Sequence, residues 1–121
     1  MKTKKSKSDL FNSNPNVRKA VLITIISNPL RRYILGLLVN AKIQNKDSGI
    51  SLMDLKRNVK ELYFLDYHHK AISNQVKFLE EYGFVELEKK SHEKGQPVIV
   101  KLGKNYKSIR LIYEKEKFSI V

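Results

Sequence analysis

The stretch DYHHKAISNQVKFLEEYGFVE, from Asp66 to Glu86, changes its hydrophobic pattern at a single glycine. Before Gly83 the apolar residues recur at helical spacing, and after it they alternate with charged residues. Aspartate is a residue type that caps helices at their start, and glycine commonly ends them. The sequence therefore predicts a helix from Asp66 to Tyr82 that leads directly into a strand.

The open side of this helix has an unusual composition. Ile72, Val76 and Leu79 form its apolar stripe, and the carboxylates Glu80 and Glu81 come only in the last turn. The side chains left facing away are basic or neutral and polar: His69, Lys70, Ser73, Asn74 and Lys77. Asparagine can bond adenine, serine a base or a phosphate, and lysine a phosphate or guanine. The pattern indicates contact with double-stranded DNA in the major groove, and an ordinary solvated helix face is the alternative.

The composition of the whole chain points to the same kind of partner. Its 121 residues suit one domain, and 24 Lys and Arg against 12 Asp and Glu give a net charge of +12. Only four of these lysines lie in the first seven residues, so the excess is not confined to the N-terminus. A field of this sign attracts polyanions, although lysine-rich composition can also serve solubility alone.

Apolar runs in this sequence are short. The longest, AVLITII from Ala20 to Ile26, is far below the length of a bilayer span, and no apolar core follows the basic N-terminus. We therefore expect no membrane association and a cytoplasmic location. The absence of cysteine excludes disulfides, zinc ribbons and thiol catalysis.

Upstream of the Asp66 helix, the sequence predicts a polar segment and three helices. Residues 1–15 are predicted to form a basic, disordered arm. A helix is then expected from Asn16, although the β-branched run to Ile26 could instead form a strand. In SNPLRRYILGLLVNAK, Asn28 and Pro29 suit the start of a second helix, with Arg31 and Arg32 pointing outward. Ile50 suits a short strand, and Ser51 suits the N-cap of the third helix.

Downstream, FVELEKK and PVIVKL alternate as the strands of a β-hairpin, and NYKSIRLIYEKEKF has helical spacing. The expected class is mainly α with a small β-hairpin, with outer helices at both ends. Residues 16–104 would form the DNA-binding domain and residues 105–121 a C-terminal dimerisation helix. Two adjacent short helices followed by a hairpin are typical of a winged helix-turn-helix.

Two motifs carry a resemblance to a known family. The segment from Asn28 to Leu38 fits the pattern NP-x-R-x-x-IL-x-x-L. A second pattern, an apolar residue and serine followed by spaced apolar residues and a glycine, is matched by Ile72, Ser73, Val76, Leu79, Gly83, Phe84 and Val85. Over Ile26 to Leu102 the chain resembles the ArsR-like winged-helix repressors, with MarR-type and archaeal regulators as close alternatives. The resemblance implies a transcriptional regulator, more often a repressor than an activator.

Further basic residues extend the expected DNA surface. The hairpin, as a wing, would lie along the backbone or in the minor groove through Lys89, Lys90, His92 and Lys94. Arg57 and Lys60, on the helix before Asp66, would hold flanking phosphates. Glu88 and Glu93 dilute the charge of the hairpin, so a merely solvated hairpin is the alternative.

The resemblance also implies a homodimer. In the ArsR-like family the two outer helices form a two-fold interface, which would here contain Val21, Ile25, Ile109, Ile112 and Tyr113. Such a dimer would bind an inverted repeat, because it places two recognition helices one helical turn of DNA apart. A monomer with both outer helices folded back is the alternative.

Other classes of function receive less support from the sequence. No glycine-rich phosphate loop, nucleophile elbow or zinc-hydrolase motif is present, so we expect no enzyme activity and no cofactor. The neighbouring His68 and His69 diverge by about 100° on a helix, so we expect no metal site there. A DNA-coating or partition protein would share all these features, and a winged-helix protein-docking module remains a third possibility. Whether a small-molecule effector exists stays open.

Overall fold

The computed structural model describes residues 6–44, 49–89 and 97–108. The order of elements in these ranges is α1 (Lys7–Ser13), α2 (Pro15–Ser27), α3 (Pro29–Ile43), β1 (Ile50–Ser51), α4 (Leu52–Tyr63), α5 (His69–Glu81), β2 (Val85–Lys89) and β3 (Val98–Leu102). The expected class, mainly helical with a small antiparallel sheet, is confirmed.

The N-terminal segment differs from the predicted arm. Ser6 and Asp9 form a reciprocal capping box that starts α1, with the Ser6 side chain accepting from the Asp9 backbone N–H. Phe11, only 1% exposed, meets Phe84 edge-to-face with 5.0 Å between ring centroids. The prediction of disorder is wrong for residues 6–15, because one aromatic residue on a capped turn is enough to anchor the segment in the core. Residues 1–5 lie outside the described residues.

Helices α2 and α3 begin with the same dipeptide. The side chains of Asn14 and Asn28 accept from backbone N–H groups of the first turn, and Pro15 and Pro29 follow as the first helical residues. Asn16, the predicted N-cap of α2, is thus two residues late, and the alternative of a strand is wrong. No single described helix is long and apolar enough to cross a bilayer; α2 and α3 would suffice only as a pair, and they meet at 93°.

The positions of two residues of α2 contradict the predicted dimer interface. Val21 and Ile25 are 6% and 2% exposed and belong to the core of the subunit itself. The apolar residue that α2 leaves in solvent is Ile23, at 56% exposure. The assignment of Val21 and Ile25 to an intersubunit surface is therefore wrong, because α1 and α3 already pack against α2.

Helices α4 and α5 start at different kinds of cap. The Ser51 hydroxyl accepts from the Asp54 backbone N–H at 3.1 Å, as predicted. Helix α5 starts two residues later than expected, since His68 Nδ1 rather than Asp66 accepts from the backbone N–H of Lys70, at 3.3 Å. Between them, Phe64 ends α4 in the left-handed region, with φ of 58°.

The end of α5 is a tight junction. Gly83 has φ of +80°, so the predicted left-handed stop is confirmed. A Cβ there would lie 2.6 Å from the hydroxyl oxygen of Ser8 in α1 and 2.7 Å from the side-chain nitrogen of Asn105, so any other residue would displace these two side chains. Asn105, which is buried, donates from its side chain to the carbonyl oxygen of Tyr82 at 2.7 Å. The end of α5, the start of β2 and the N-terminal helix are therefore fixed to one another.

The sheet has the strand order β1-β3-β2, with both pairs antiparallel. Leu87 pairs with Val100 in the hairpin, and Ile50 pairs with Val100 on the other side of β3. Both the hairpin and the short first strand are as predicted. Residues 106–108 are helical. The rest of the predicted C-terminal helix, including Ile109, Ile112 and Tyr113, lies outside the described residues.

Candidate nucleic-acid interface

Of the five residues predicted on the open side of α5, Lys70, Asn74 and Lys77 face away from its buried stripe and Ser73 lies at the flank. His69 lies on the side of Ile72 and is exposed because it is the first residue of the helix. Ile72, Val76 and Leu79 are buried against the rest of the chain, which fixes the direction of the opposite side. His69, Lys70, Asn74 and Lys77 are exposed, and Ser73 is partly exposed. We call these five residues, His69, Lys70, Ser73, Asn74 and Lys77, the open face of α5. A ligand can therefore reach all five side chains, four of them because of the direction of the buried stripe and His69 because it starts the helix.

The charges of the open face are unequal along α5. Neither Lys70 nor Lys77 makes an ion pair with another described residue, and they lie two helical turns apart, about 10.5 Å along the axis. At the other end, Glu81 accepts from Lys7 Nζ at 2.6 Å. The positive charge is therefore concentrated before the last turn, and a cation from α1 partly neutralises the acidic end. The hydrogen bond to the Glu81 carboxylate raises the pKa of Lys7.

The predicted phosphate contacts on α4 are exposed but have partners. Arg57 is ion-paired with Asp54 one turn earlier, and Lys60 Nζ lies 3.7 Å from a carboxylate oxygen of Asp66. Solvent-exposed pairs of this kind are weak, because water screens the attraction and the side chains lose conformational freedom. Arg57 and Lys60 can therefore exchange their carboxylate partners for phosphates.

The β2–β3 hairpin, which the sequence predicts to be a wing, is described only at its base. Lys89 is exposed at the end of β2, whereas the predicted contacts Lys90, His92 and Lys94 lie outside the described residues. On β3, Lys101 is ion-paired with Glu88 of the neighbouring strand. The described base of the hairpin therefore contributes one exposed lysine, Lys89, on the strand that leaves α5.

Arg31 corrects a prediction, since it does not simply point outward. Its Nε donates to the side-chain oxygen of Gln75 at 2.7 Å, and its guanidinium carbon lies 3.7 Å from the centroid of the Phe78 ring. Its Nη1 donates to the carbonyl oxygen of Thr24 at 3.3 Å. Burial lowers the pKa of Arg31 from its usual value. Gln75 and Phe78 were not identified from the sequence, because their partner lies more than forty residues away.

Other chemistry has less support from the described residues. In the described ranges no three His, Asp or Glu side chains come close enough together to hold a metal ion. Tyr33 and Tyr63 stack with 4.0 Å between centroids, and burial raises the pKa of Tyr63. This pair joins α3 to the end of α4 and belongs to the packing rather than to a pocket.

The strongest candidate site is thus the exposed polar and basic face of α5, whose opposite side is packed in the core. Its dimensions suit a groove, since an α-helix with its side chains is about as wide as the major groove of B-DNA. Comparisons with protein-family models, with curated proteins and with solved structures give no match for this chain.

Proposed function

We propose that the chain is a winged helix-turn-helix protein that binds double-stranded DNA and regulates transcription as a repressor. The order α3, β1, α4, α5 and the β2–β3 hairpin supports this proposal, because it is the order of elements in that class. In this assignment α5 is the recognition helix, and the hairpin is the wing. The resemblance of the segment from Ile26 to Leu102 to the ArsR-like regulators supports the same function.

The observation that carries the proposal is the open face of α5. From His69 to Phe78 it presents no carboxylate, and its two lysines have no ion pair among the described residues. A helix with this face can lie in the major groove without electrostatic repulsion from the phosphate backbones on either side. Asn74 would bond adenine, Ser73 would contact a base or a phosphate, and Lys70 and Lys77 would contact phosphates or guanine.

A homodimer on an inverted repeat is part of the proposal. The outer surface of α2 supports it through the exposed Ile23, in place of the buried Val21 and Ile25. Ile109, Ile112 and Tyr113 of the C-terminal segment would complete the interface.

The proposal predicts a steep dependence of DNA affinity on salt. Each phosphate contact contributes about −0.9 to the slope of log K against log[salt]. The measurement is a fluorescence-anisotropy titration with a random-sequence duplex. Lys77→Ala should lower the magnitude of the slope by about 0.9, the contribution of one phosphate contact. Lys104→Ala is the matched control, because Lys104 is exposed in the turn after β3, outside the open face of α5, outside α4 and away from the outer surface of α2.

Two results would contradict the proposal. One is an affinity for duplex DNA that hardly changes with salt. The other is an equal effect of Lys104→Ala and Lys77→Ala on the slope, which would mean that only the overall charge matters.

A DNA-coating or partition protein would use the same face, and a footprint separates it from a repressor. As the protein concentration rises, a repressor protects a region that stops growing once the operator is filled. A coating protein protects a region that continues to extend. We expect the first result, because the open face offers base-reading groups in Ser73 and Asn74.

A further inference from the structure

Arg31 joins three helices at one point. It belongs to the first turn of α3, where its own backbone N–H donates to the Asn28 cap at 3.1 Å. Its guanidinium group then bonds the carbonyl oxygen of Thr24 in α2 and the side chain of Gln75 in α5. The same group lies over the Phe78 ring. A planar, delocalised cation is suited to bonding at its edge and stacking on its face at once.

The two α5 residues that Arg31 contacts border the open face. Gln75 follows Asn74 directly, and Phe78 lies one turn after Asn74 on nearly the same side of the helix. Arg31 therefore contacts the flank of α5 next to the residue proposed to read a base. Side-chain tips lie about 6 Å from a helix axis, so a 20° rotation of α5 would move Asn74 by about 2 Å. That displacement exceeds the range of distances over which a hydrogen bond holds.

We propose that Arg31 is a positioning residue that sets the rotation of α5, and so the reading of bases by Asn74, without itself contacting DNA. This inference rests on the proposed function. Three contacts already engage the guanidinium group, and its partial burial removes part of its hydration. A phosphate that displaced Gln75 or Thr24 from the guanidinium group would break the contacts that hold α5.

The test compares two duplexes at fixed salt: one selected by the wild-type protein from random sequences, and one scrambled version of the same composition. Arg31→Met keeps the aliphatic packing on Phe78 but removes the hydrogen bonds. We expect it to lower the ratio of the two affinities at least tenfold while leaving the salt slope unchanged. Arg31→Lys should restore only part of the ratio, because lysine keeps the charge but lacks the planar fork.

Gln75→Leu provides a second variant in case Arg31→Met does not fold, since it removes the acceptor from the α5 side. It should lower the ratio in the same way. The double variant should be no worse than the more affected single variant, because both changes remove one shared interaction. Thermal unfolding midpoints show that each variant is folded at the temperature of the assay.

Three results would overturn the inference. An equal loss of affinity for both duplexes, with a slope reduced by about 0.9, would make Arg31 a phosphate contact. An unchanged ratio with only a lower unfolding midpoint would limit Arg31 to a structural role. If the wild-type protein bound no duplex at all, the proposed function would fail, and the role of Arg31 with it. The wild-type measurement thus separates the two failures.

Discussion

Helices α5 and α2 both have 13 residues, but only the sequence of α5 predicts which side of the helix is buried. Helix α5 has a single apolar stripe, Ile72, Val76 and Leu79, and the opposite side is polar. Helix α2 is apolar on nearly every side from Val21 to Ile26. The sequence predicted the exposed side of α5, and it failed to predict that of α2. The orientation of a helix can be predicted from its sequence only if one side is apolar and the other polar.

The outer surface of α2 is decided by elements distant in the sequence. Helix α1 folds onto α2, and the guanidinium of Arg18 donates to the backbone carbonyls of Phe11 and Asn12 at the end of α1. Phe11, Val21 and Ile25 then share one hydrophobic core. The error about α2 thus follows from the error about residues 6–15.

The largest expected loss of stability comes from removing the contact of α1 with the core. Phe11→Ala should lower the free energy of unfolding by about 3–5 kcal/mol, because the ring is fully buried against Phe84. Urea denaturation measures the change, and Leu10→Ala is the control, since the neighbouring Leu10 is exposed. A loss below about 1 kcal/mol would indicate that α1 is only loosely attached.

A second pair of variants tests the two sides of α2 directly. Ile25→Ala should cost about 2–5 kcal/mol, whereas Ile23→Ala should stay within about 0.5 kcal/mol. The two residues have the same side chain on the same helix, and they differ in exposure, 2% against 56%. Urea denaturation at low protein concentration measures both values. Equal losses would contradict the assigned orientation of α2.

The signals that succeeded are local. Asn28 with Pro29, Ser51 with Asp54, and Gly83 each define an element boundary within four residues, and each was recognised in the sequence. The open face of α5 followed from the helical repeat alone. These features depend on backbone geometry and periodicity, which act over one or two turns.

The signals that failed depend on long-range contacts or on competing caps. The hydrogen bond between Arg31 and Gln75 joins segments that are distant in the sequence, and no local pattern near Arg31 predicts it. Asp66 is a better cap by residue type than His68, yet His68, with φ of −60° and ψ of 145°, occupies the cap position. Tertiary packing overrides a local preference that is worth only about 1 kcal/mol.

The smallest expected effect compares the first turns of the same two helices. The Asn14 side chain accepts from two backbone N–H groups, of Asn16 at 3.0 Å and of Val17 at 3.3 Å, whereas His68 accepts from one at 3.3 Å. Asn14→Ala should therefore cost about 1 kcal/mol in urea denaturation, and His68→Ala only a few tenths. Asn16→Ala is the control, since it changes an exposed residue inside α2 and leaves the cap intact.

Comparing the losses of stability in Asn14→Ala and His68→Ala shows which contacts keep α5 in place. A small loss for His68→Ala would mean that buried Ile72 and the contacts of Gln75 and Phe78 fix α5, while its first turn is only weakly capped. His69 and Lys70, in that turn, could then adjust to a ligand at little cost to the fold. If His68→Ala cost as much as Asn14→Ala, the cap would be essential to α5. Its first turn would then be as rigid as that of α2.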